Sequence, residues 1–250
     1  MSLEACRALV ERADPDRFVA AQLGTEAAQQ VLWPLYAMNI EVSRAPWVTQ
    51  EPMIAEMRLQ WWRDALEEIA QGKPVRAHEV TTALASAIGA PEATDLDRLV
   101  QARRWDIYKD AFEDEADLLA YLDDTAGLLM WAGAAALGAP STVRADVIRY
   151  GRACGLVRFL QGAPELESRG RRPLVDGRPQ AIRELCARVL AEMPSRGALK
   201  RQLGADAACV LTEGWQTRAL LKQVIANPTR VADGALGLSE FGKRWRLLLA

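Results

Sequence analysis

Hydrophobic and polar positions follow the helical period through nearly the whole chain. No alternating or β-branched run is long enough to indicate a sheet. The most apolar stretch runs from Tyr121 to Leu137, and no charge follows Asp124 until Arg144. This pattern is typical of a helix that is buried on nearly every side. Such a helix needs other helices packed around it, so the chain is predicted to be all-α.

A transmembrane helix is the alternative for this stretch, because its length approaches the roughly 20 residues that cross a bilayer. Pro140 ends the stretch, several glycines interrupt it, and Asp123 and Asp124 lie in its first turns. These interruptions favour a core helix. Its small residues would allow the close helix packing that surrounds a cavity.

Helix signals divide the rest of the chain. The first predicted helix ends near Arg12, the second begins at Asp14-Pro15-Asp16, and the third runs from Glu26 to before Pro46. Further helices are predicted over 51–70, 80–88, 95–111 and 142–160. The segment 162–180 is rich in Gly, Pro and charge, which indicates a functional loop or a linker. Two or three further helices are expected within 181–250.

Two of these helices carry apolar stripes that predict their packing. In the 51–70 helix the residues expected to be buried are Met53, Met57, Trp61, Ala65 and Ile69. The last segment has an apolar stripe beside a basic cluster, made of Leu238, Phe241, Trp245 and Leu248 with Lys243, Arg244 and Arg246. A terminal helix of this kind either docks on the core or lies on an anionic membrane.

Composition narrows the function classes. The chain has 250 residues, 50% of them hydrophobic, and a formal charge of -2, which gives no electrostatic case for nucleic acid. The first residues lack the uninterrupted apolar run of a secretory signal, so we expect a cytoplasmic protein. The four cysteines lie far apart without a CxxC pair and are expected to be reduced and buried.

Several motifs occur in a consistent order: Leu35-Tyr36-Ala37-Met38, RLQWWR at 58–63, Gly72 with Pro74, Arg104-Trp105-Asp106, Tyr121 with Ala126-Gly127, and Leu137-Gly138. Together they resemble the squalene and phytoene synthase family, most strongly over residues 15–175. The resemblance implies one domain spanning 1–250, an isoprenoid-synthase-type helical bundle around a central cavity. Members of the family condense two prenyl diphosphates head to head.

The resemblance also implies a metal requirement that this chain does not meet. The family holds Mg²⁺ with two aspartate-rich motifs, because this hard cation takes oxygen ligands. The first motif falls on Ser43, Arg44 and Trp47, and the second on Gly162 and Leu166. None of these is a carboxylate, although Glu165 and Glu167 lie beside the second motif.

Site candidates follow from this comparison. The residues expected to line the cavity are Tyr36, Asn39, Glu41, Arg44, Trp61, Tyr121, Gly127 and Arg158. Arg169 and Arg171 are candidates for binding a diphosphate, or form a solvated basic loop. A replacement metal site would draw on Asp106, Asp110 and Glu165, with Asp106 and Asp110 one turn apart on the predicted helix; such acids are more often solvated.

The segment Asn39-Ile40-Glu41 with Arg44 resembles a subgroup related to respiratory complex I assembly factors, and a Glu41–Arg44 pair would make this surface structural. We therefore predict a non-catalytic protein without a cofactor. It would bind an isoprenoid or lipid, assist assembly of a membrane respiratory complex, or both, in the cytoplasm or at the inner membrane.

Two alternatives remain open at the level of sequence. One is a divergent Mg²⁺-dependent prenyl diphosphate transferase that uses Asp106, Asp110, Glu165 or Glu167. The other is a purely structural domain that binds a partner and whose cavity is filled with side chains.

Overall fold

Helices account for all regular structure in residues 2–248, the part of the chain described by this computed structural model. The α-helices in chain order are α1 Ser2–Ala13, α2 Pro15–Gln22, α3 Glu26–Arg44, α4 Pro52–Ala70, α5 Glu79–Ala87, α6 Ala90–Ala102, α7 Glu115–Leu122, α8 Leu128–Ala136, α9 Arg144–Ser168, α10 Pro179–Glu192, α11 Arg196–Leu203, α12 Thr217–Ala226, α13 Thr229–Ala232 and α14 Glu240–Leu248. The predicted all-α fold is confirmed.

The starts of the early helices follow local capping chemistry. The Asp14 side chain accepts the Arg17 N–H at the start of α2, where Pro15 occupies the first helical position. The Thr25 hydroxyl accepts the Ala28 N–H at the start of α3. Both starts lie where the sequence predicted them, because these bonds form between residues three apart.

The predicted core helix is buried, but it is not one continuous α-helix. α7 begins before Tyr121, and a π-helical turn, Asp123–Gly127, joins it to α8. Leu128–Ala134 are all buried. Within the described residues, no helix combines the length and apolar character needed to cross a membrane.

α9 packs directly against the π-helical turn because both surfaces lack bulk. A Cβ atom on Gly151 would lie 2.8 Å from the Ala126 carbonyl oxygen, and one on Gly155 would lie 2.5 Å from the Ala126 Cβ. Either distance is too short for real atoms, so glycine is required for this backbone approach. The contact brings α9 beside Tyr121 and Leu122, at the wall of a cavity.

The predicted 95–111 helix is wrong at both ends. α6 ends at Ala102, Arg103–Asp106 forms a 3₁₀ turn, and Asp110 lies in the loop that follows. The Trp105 and Phe112 rings stack with centroids 4.3 Å apart. Seven helical residues would separate them by about 10 Å along the axis, so this stacking requires the chain to turn back.

The predicted boundary between the 142–160 helix and the 162–180 loop is also wrong. α9 continues through Pro164 to Ser168, so the loop is confined to 169–178. Pro164 removes one backbone hydrogen bond. Leu160 and Ala163 are buried in the turn that precedes Pro164, and their packing holds this part of α9 against the core.

The stripe predicted for α4 faces the core only in its C-terminal half. Met53 is 75% exposed and Met57 is 66% exposed, while the buried face is Ala55, Leu59, Trp62, Ala65, Leu66 and Ile69. Residues four apart advance by about 40° per step around a helix, so five of them span about 160°. Only the last two members of the predicted stripe, Ala65 and Ile69, are therefore fully buried, while Trp61 is partly buried against the core.

The C-terminal region has more elements than predicted, including a 3₁₀ helix, Ala207–Gly214. Cys209 on this helix is partly exposed, so the expectation that every cysteine is buried is wrong there; all four thiols are free. No residue of α14 is buried among those described. The Phe241, Trp245 and Leu248 side chains are exposed, so only Leu238 of this stripe packs against the core.

Candidate functional site

A cavity of about 320 Å³ opens between α3, α9, the 3₁₀ turn Arg103–Asp106 and the π-helical turn. Its apolar surface comes from Leu122, Ala126, Phe159 and Leu166. Charged and polar side chains form the rest of the wall. This combination of apolar surface and a few polar groups is characteristic of small-molecule sites.

A buried group of charges, which we call the Arg17 cluster, forms one wall. It consists of Asp14, Arg17, Arg158 and Glu213. The Arg17 Nη2 atom donates to Glu213 Oε1 at 2.7 Å, and Arg17 Nη1 donates to Asp14 Oδ2 at 3.1 Å. Arg158 Nη1 donates to the same Asp14 oxygen at 3.0 Å, and its Nε lies 3.7 Å from Glu213 Oε1. Two guanidinium groups are thus matched by two carboxylates.

The protonation states of the Arg17 cluster follow from this pairing. Burial opposes the charge on Arg17, but Glu213 and Asp14 outweigh burial and raise its pKa. Burial opposes the charge on Asp14 as well, yet Arg17 and Arg158 hold its pKa below the ordinary value. Burial and the charge of Glu213 raise the pKa of Tyr36, whose ring lies 5.3 Å from the Arg17 guanidinium carbon. The cluster therefore contains two full ion pairs beside a neutral phenol.

The opposite wall contains a second set of paired groups. Tyr121 donates its hydroxyl hydrogen to Asp106 Oδ1 at 3.1 Å and accepts from Arg103 Nη1 at 2.9 Å. Arg103 Nη1 also lies 3.2 Å from Asp106 Oδ2. Burial raises the pKa of Tyr121 above its ordinary value, so the ring remains a neutral phenol. Asp106, a weak metal candidate, is thus buried and occupied by two partners.

Arg171 stabilises this wall by binding its backbone. It donates to the backbone carbonyls of Asp106, Trp105 and Tyr108, the last at 2.6 Å. Burial lowers its pKa. Arg171 does not line the cavity, so its guanidinium stabilises the 3₁₀ turn and its backbone rather than facing a ligand.

Four of the five positions that the resemblance aligns with the family's aspartates line the mouth of the cavity, and the fifth, Arg44, is exposed outside it. Ser43 and Trp47 lie on one side, and Gly162 and Leu166 on α9 lie on the other. Arg169 forms a 2.7 Å ion pair with Glu165 at this mouth, and its guanidinium carbon lies 5.0 Å from the Trp47 ring. An aromatic ring and an arginine therefore occupy the space where metal-binding carboxylates were expected.

The side chains present do not fit a magnesium cluster. No three acidic, histidine or cysteine side chains of residues 2–248 come together as a metal site. Glu165 is paired with Arg169, Asp106 with Arg103, and Asp110 is exposed in its loop. Since Mg²⁺ needs several oxygen ligands in near-ideal octahedral geometry, these separated carboxylates do not supply its coordination shell.

The structure brings together six of the predicted site residues at this cavity: Asn39, Asp106, Tyr121, Arg158, Glu165 and Arg169. Tyr36 lies behind the wall, under Arg17. Gly127 is enclosed by helix packing, since a Cβ there would lie 2.9 Å from the Ile148 Cγ2. Both were predicted to line the cavity, and neither does.

The remaining predictions lie elsewhere. Glu41 and Trp61 line a separate surface groove of about 430 Å³ together with Trp62 and His78. Arg44 is exposed and lies 4.0 Å from Glu41, the one-turn pair that the sequence suggested. The rings of the two neighbouring tryptophans lie 84° apart, and both contact the groove, but Trp62 is buried while Trp61 is partly exposed.

Sequence reasoning missed Arg17, Arg103 and Glu213. Asp14 and Arg17 are three apart at a helix start, so their pairing had a local signal. Glu213 had none, because its partner Arg17 is 196 residues away. Buried long-range ion pairs leave no periodic trace in a sequence.

The family profile described as squalene/phytoene synthase matches residues 10–175, well over half of the chain. The chain belongs to the squalene/phytoene synthase family. A crystal structure of a dehydrosqualene synthase in complex with ligand superposes with a TM-score of 0.76 at 14% identity, covering 99% of this chain and 94% of that one. That likeness shows that this family member has the all-α isoprenoid-synthase fold.

Two curated relatives of this squalene/phytoene synthase family member are named as complex I assembly factors rather than as synthases. The complex I assembly factor 6 homolog of Drosophila melanogaster is 29% identical over 168 residues, covering 64% of this chain and 50% of the relative. Complex I assembly factor 6 of Mus musculus is 26% identical over 168 residues, covering 66% and 50%. The chain spans about half the length of the curated relatives it matches.

Proposed function

We propose that this protein is a non-catalytic member of its family that binds an isoprenoid or other lipid in the cavity and assists assembly of a membrane respiratory complex. One observation carries the proposal: the cavity persists, but the positions that the resemblance aligns with the family's aspartates hold Ser43, Arg44, Trp47, Gly162 and Leu166, none of which is a carboxylate. Without those carboxylates the departing diphosphate lacks its metal ions. The names of the two curated relatives support the assembly role.

The proposal includes contact with a membrane through α14. The exposed Phe241, Trp245 and Leu248 side chains are spaced to share one face of this helix. Lys243, Arg244 and Arg246 supply positive charge beside them. This arrangement suits the surface of an anionic bilayer. We place the protein in the cytoplasm, peripheral to the membrane that holds the complex.

Catalysis is tested by incubating the protein with farnesyl or geranylgeranyl diphosphate and Mg²⁺ and measuring pyrophosphate release. We expect no turnover above a no-protein control. A dehydrosqualene synthase provides the positive control for the assay. Turnover that is abolished by Asp106→Ala would instead establish a divergent prenyl diphosphate transferase.

The assembly role is tested in the source organism by deleting the gene and resolving respiratory complexes on native gels. We expect less fully assembled complex I, restored by the wild-type gene. A normal level of complex I in the deletion strain would contradict this part of the proposal and leave cavity binding to be judged separately.

A further inference from the structure

Every guanidinium group that lines the cavity already has a carboxylate partner. Arg17 pairs with Glu213 and Asp14, and Arg158 shares the same two carboxylates. On the other sides, Arg103 pairs with Asp106 and Arg169 pairs with Glu165. Four positive charges therefore meet four negative charges, and the wall carries no net charge to attract an anion.

A diphosphate would be unfavourable in such a site. Asp106 and Glu165 themselves line the cavity and would repel an anionic ligand. Drawing Arg17 towards the ligand would break its 2.7 Å pair with Glu213, whose side chain is only 2% exposed, and would leave that carboxylate with Arg158 alone, 3.7 Å away. Breaking a buried pair in this way is unfavourable, so the carboxylate-bound nitrogens of these arginines are not free to serve a diphosphate.

Asn39 offers the cavity a different contact. This side chain lies in the cavity wall on α3 and is 4% exposed. Its Oδ1 atom is buried and has no hydrogen-bond partner among the described residues. A buried acceptor without a partner is unfavourable until a donor reaches it. A ligand hydroxyl carries the hydrogen that Asn39 needs, whereas a fully ionised diphosphate does not.

The size and apolar surface of the cavity limit the rest of the ligand. Leu122, Ala126 and Phe159 provide a nonpolar wall beside Asn39. The volume of about 320 Å³ is at the lower end of the range of about 300–1,000 Å³ for small-molecule sites. That volume suits one apolar chain rather than two.

We infer that the cavity binds one neutral amphiphile, an apolar chain that ends in a hydroxyl group, in preference to a prenyl diphosphate. The hydroxyl hydrogen bonds to Asn39, the chain packs on Leu122 and Phe159, and the paired arginines remain with their carboxylates. This inference rests on the proposed lipid binding and specifies the class of lipid.

The test compares equilibrium binding of radiolabelled farnesol and farnesyl diphosphate to the full chain, with and without Mg²⁺. The two probes share one apolar chain and differ at the polar end. We expect farnesol to bind at least tenfold more tightly, and Mg²⁺ to leave the affinity for the diphosphate unchanged. Equal or tighter binding of farnesyl diphosphate would overturn the inference while leaving lipid binding intact. Binding of neither probe would overturn both.

Variants separate the hydroxyl contact from the charge balance. Asn39→Leu should weaken farnesol binding at least tenfold, while Glu184→Gln, an exposed carboxylate away from the cavity, should leave it unchanged. Glu165→Gln releases Arg169 at the mouth and should strengthen farnesyl diphosphate binding without affecting farnesol. It removes no buried charge, so folding is preserved. Unchanged farnesol binding in Asn39→Leu, or unchanged diphosphate binding in Glu165→Gln, would contradict the assignment.

Discussion

Arg17 near the start of the chain and Glu213 near its end form a direct ion pair, with Nη2 and Oε1 2.7 Å apart. Both side chains are nearly inaccessible to water, at 7% and 2% exposure. The pair connects α2 to the 3₁₀ helix Ala207–Gly214 across the wall of the cavity. The C-terminal third of the chain therefore supplies the partner of an arginine that lines the cavity, although the family motifs all lie before residue 175.

Removing one member of this pair should destabilise the whole fold. Glu213→Ala leaves Arg17 as a buried charge that keeps only Asp14, so the free energy of unfolding should fall by about 3 kcal/mol. Urea denaturation followed by circular dichroism measures the change. The surface variant Glu184→Gln should stay within about 0.5 kcal/mol of wild type. Equal stability of the two variants would show that the pair contributes little.

Lowering the pH should reduce the free energy of unfolding, in part because Asp14 becomes protonated. Its pKa is held below the ordinary value in the fold, since Arg17 and Arg158 outweigh the effect of burial. The stabilisation is thus complete above the unfolded pKa of about 3.9 and is lost as the pH falls through the lower folded value. Urea titrations between about pH 5 and pH 2.5 cover this range.

Asp14→Asn should be less stable at neutral pH and lose less stability on acidification than wild type. Asp110→Asn, which alters an exposed loop carboxylate, is the control and should follow the wild-type curve. Parallel curves for wild type and Asp14→Asn would contradict the assignment.

The contact between α9 and the π-helical turn should not tolerate a methyl group. Gly155→Ala places a Cβ 2.5 Å from that of Ala126, so the helices must separate at a cost of about 1–3 kcal/mol. Gly162 lies on the same helix with open space around it. Gly162→Ala should therefore be neutral or stabilising by up to about 1 kcal/mol. Thermal unfolding of the two variants provides the comparison.

The four thiols should react at very different rates. Burial raises the pKa of Cys6 to about 11 and those of Cys154 and Cys186 to about 12. Cys209 is partly exposed. Because the thiolate is the reactive form, iodoacetamide followed by mass spectrometry should label Cys209 first in native protein. The other three should react only after unfolding in urea; early labelling of Cys154 would argue against its burial.

Membrane binding should depend on the exposed face of α14. The double variant Phe241→Ser with Trp245→Ser should lose most of its binding to phosphatidylglycerol vesicles in a flotation assay. Wild-type binding should weaken in high salt, which screens the basic residues. Met53→Ser with Met57→Ser removes equally exposed apolar groups from α4 and should bind as wild type does. Loss of binding in both double variants would point to nonspecific adhesion.

Local chemistry determined much of this protein from the sequence alone. The helix start at Asp14, the buried Leu128–Ala134 segment and the missing aspartates at Ser43 and Gly162 were all visible there, because each depends on neighbouring residues or on a motif. The family and the all-α fold followed from them.

Only the tertiary structure decided which residues meet. In the fold Met53 and Met57 face outward, the chain turns after Ala102, and Arg17 pairs with Glu213. Helical periodicity fixes the angle between residues of one helix, but the direction of the core depends on the other helices. Contacts between distant residues depend on how those helices pack, and no spacing along the chain encodes them.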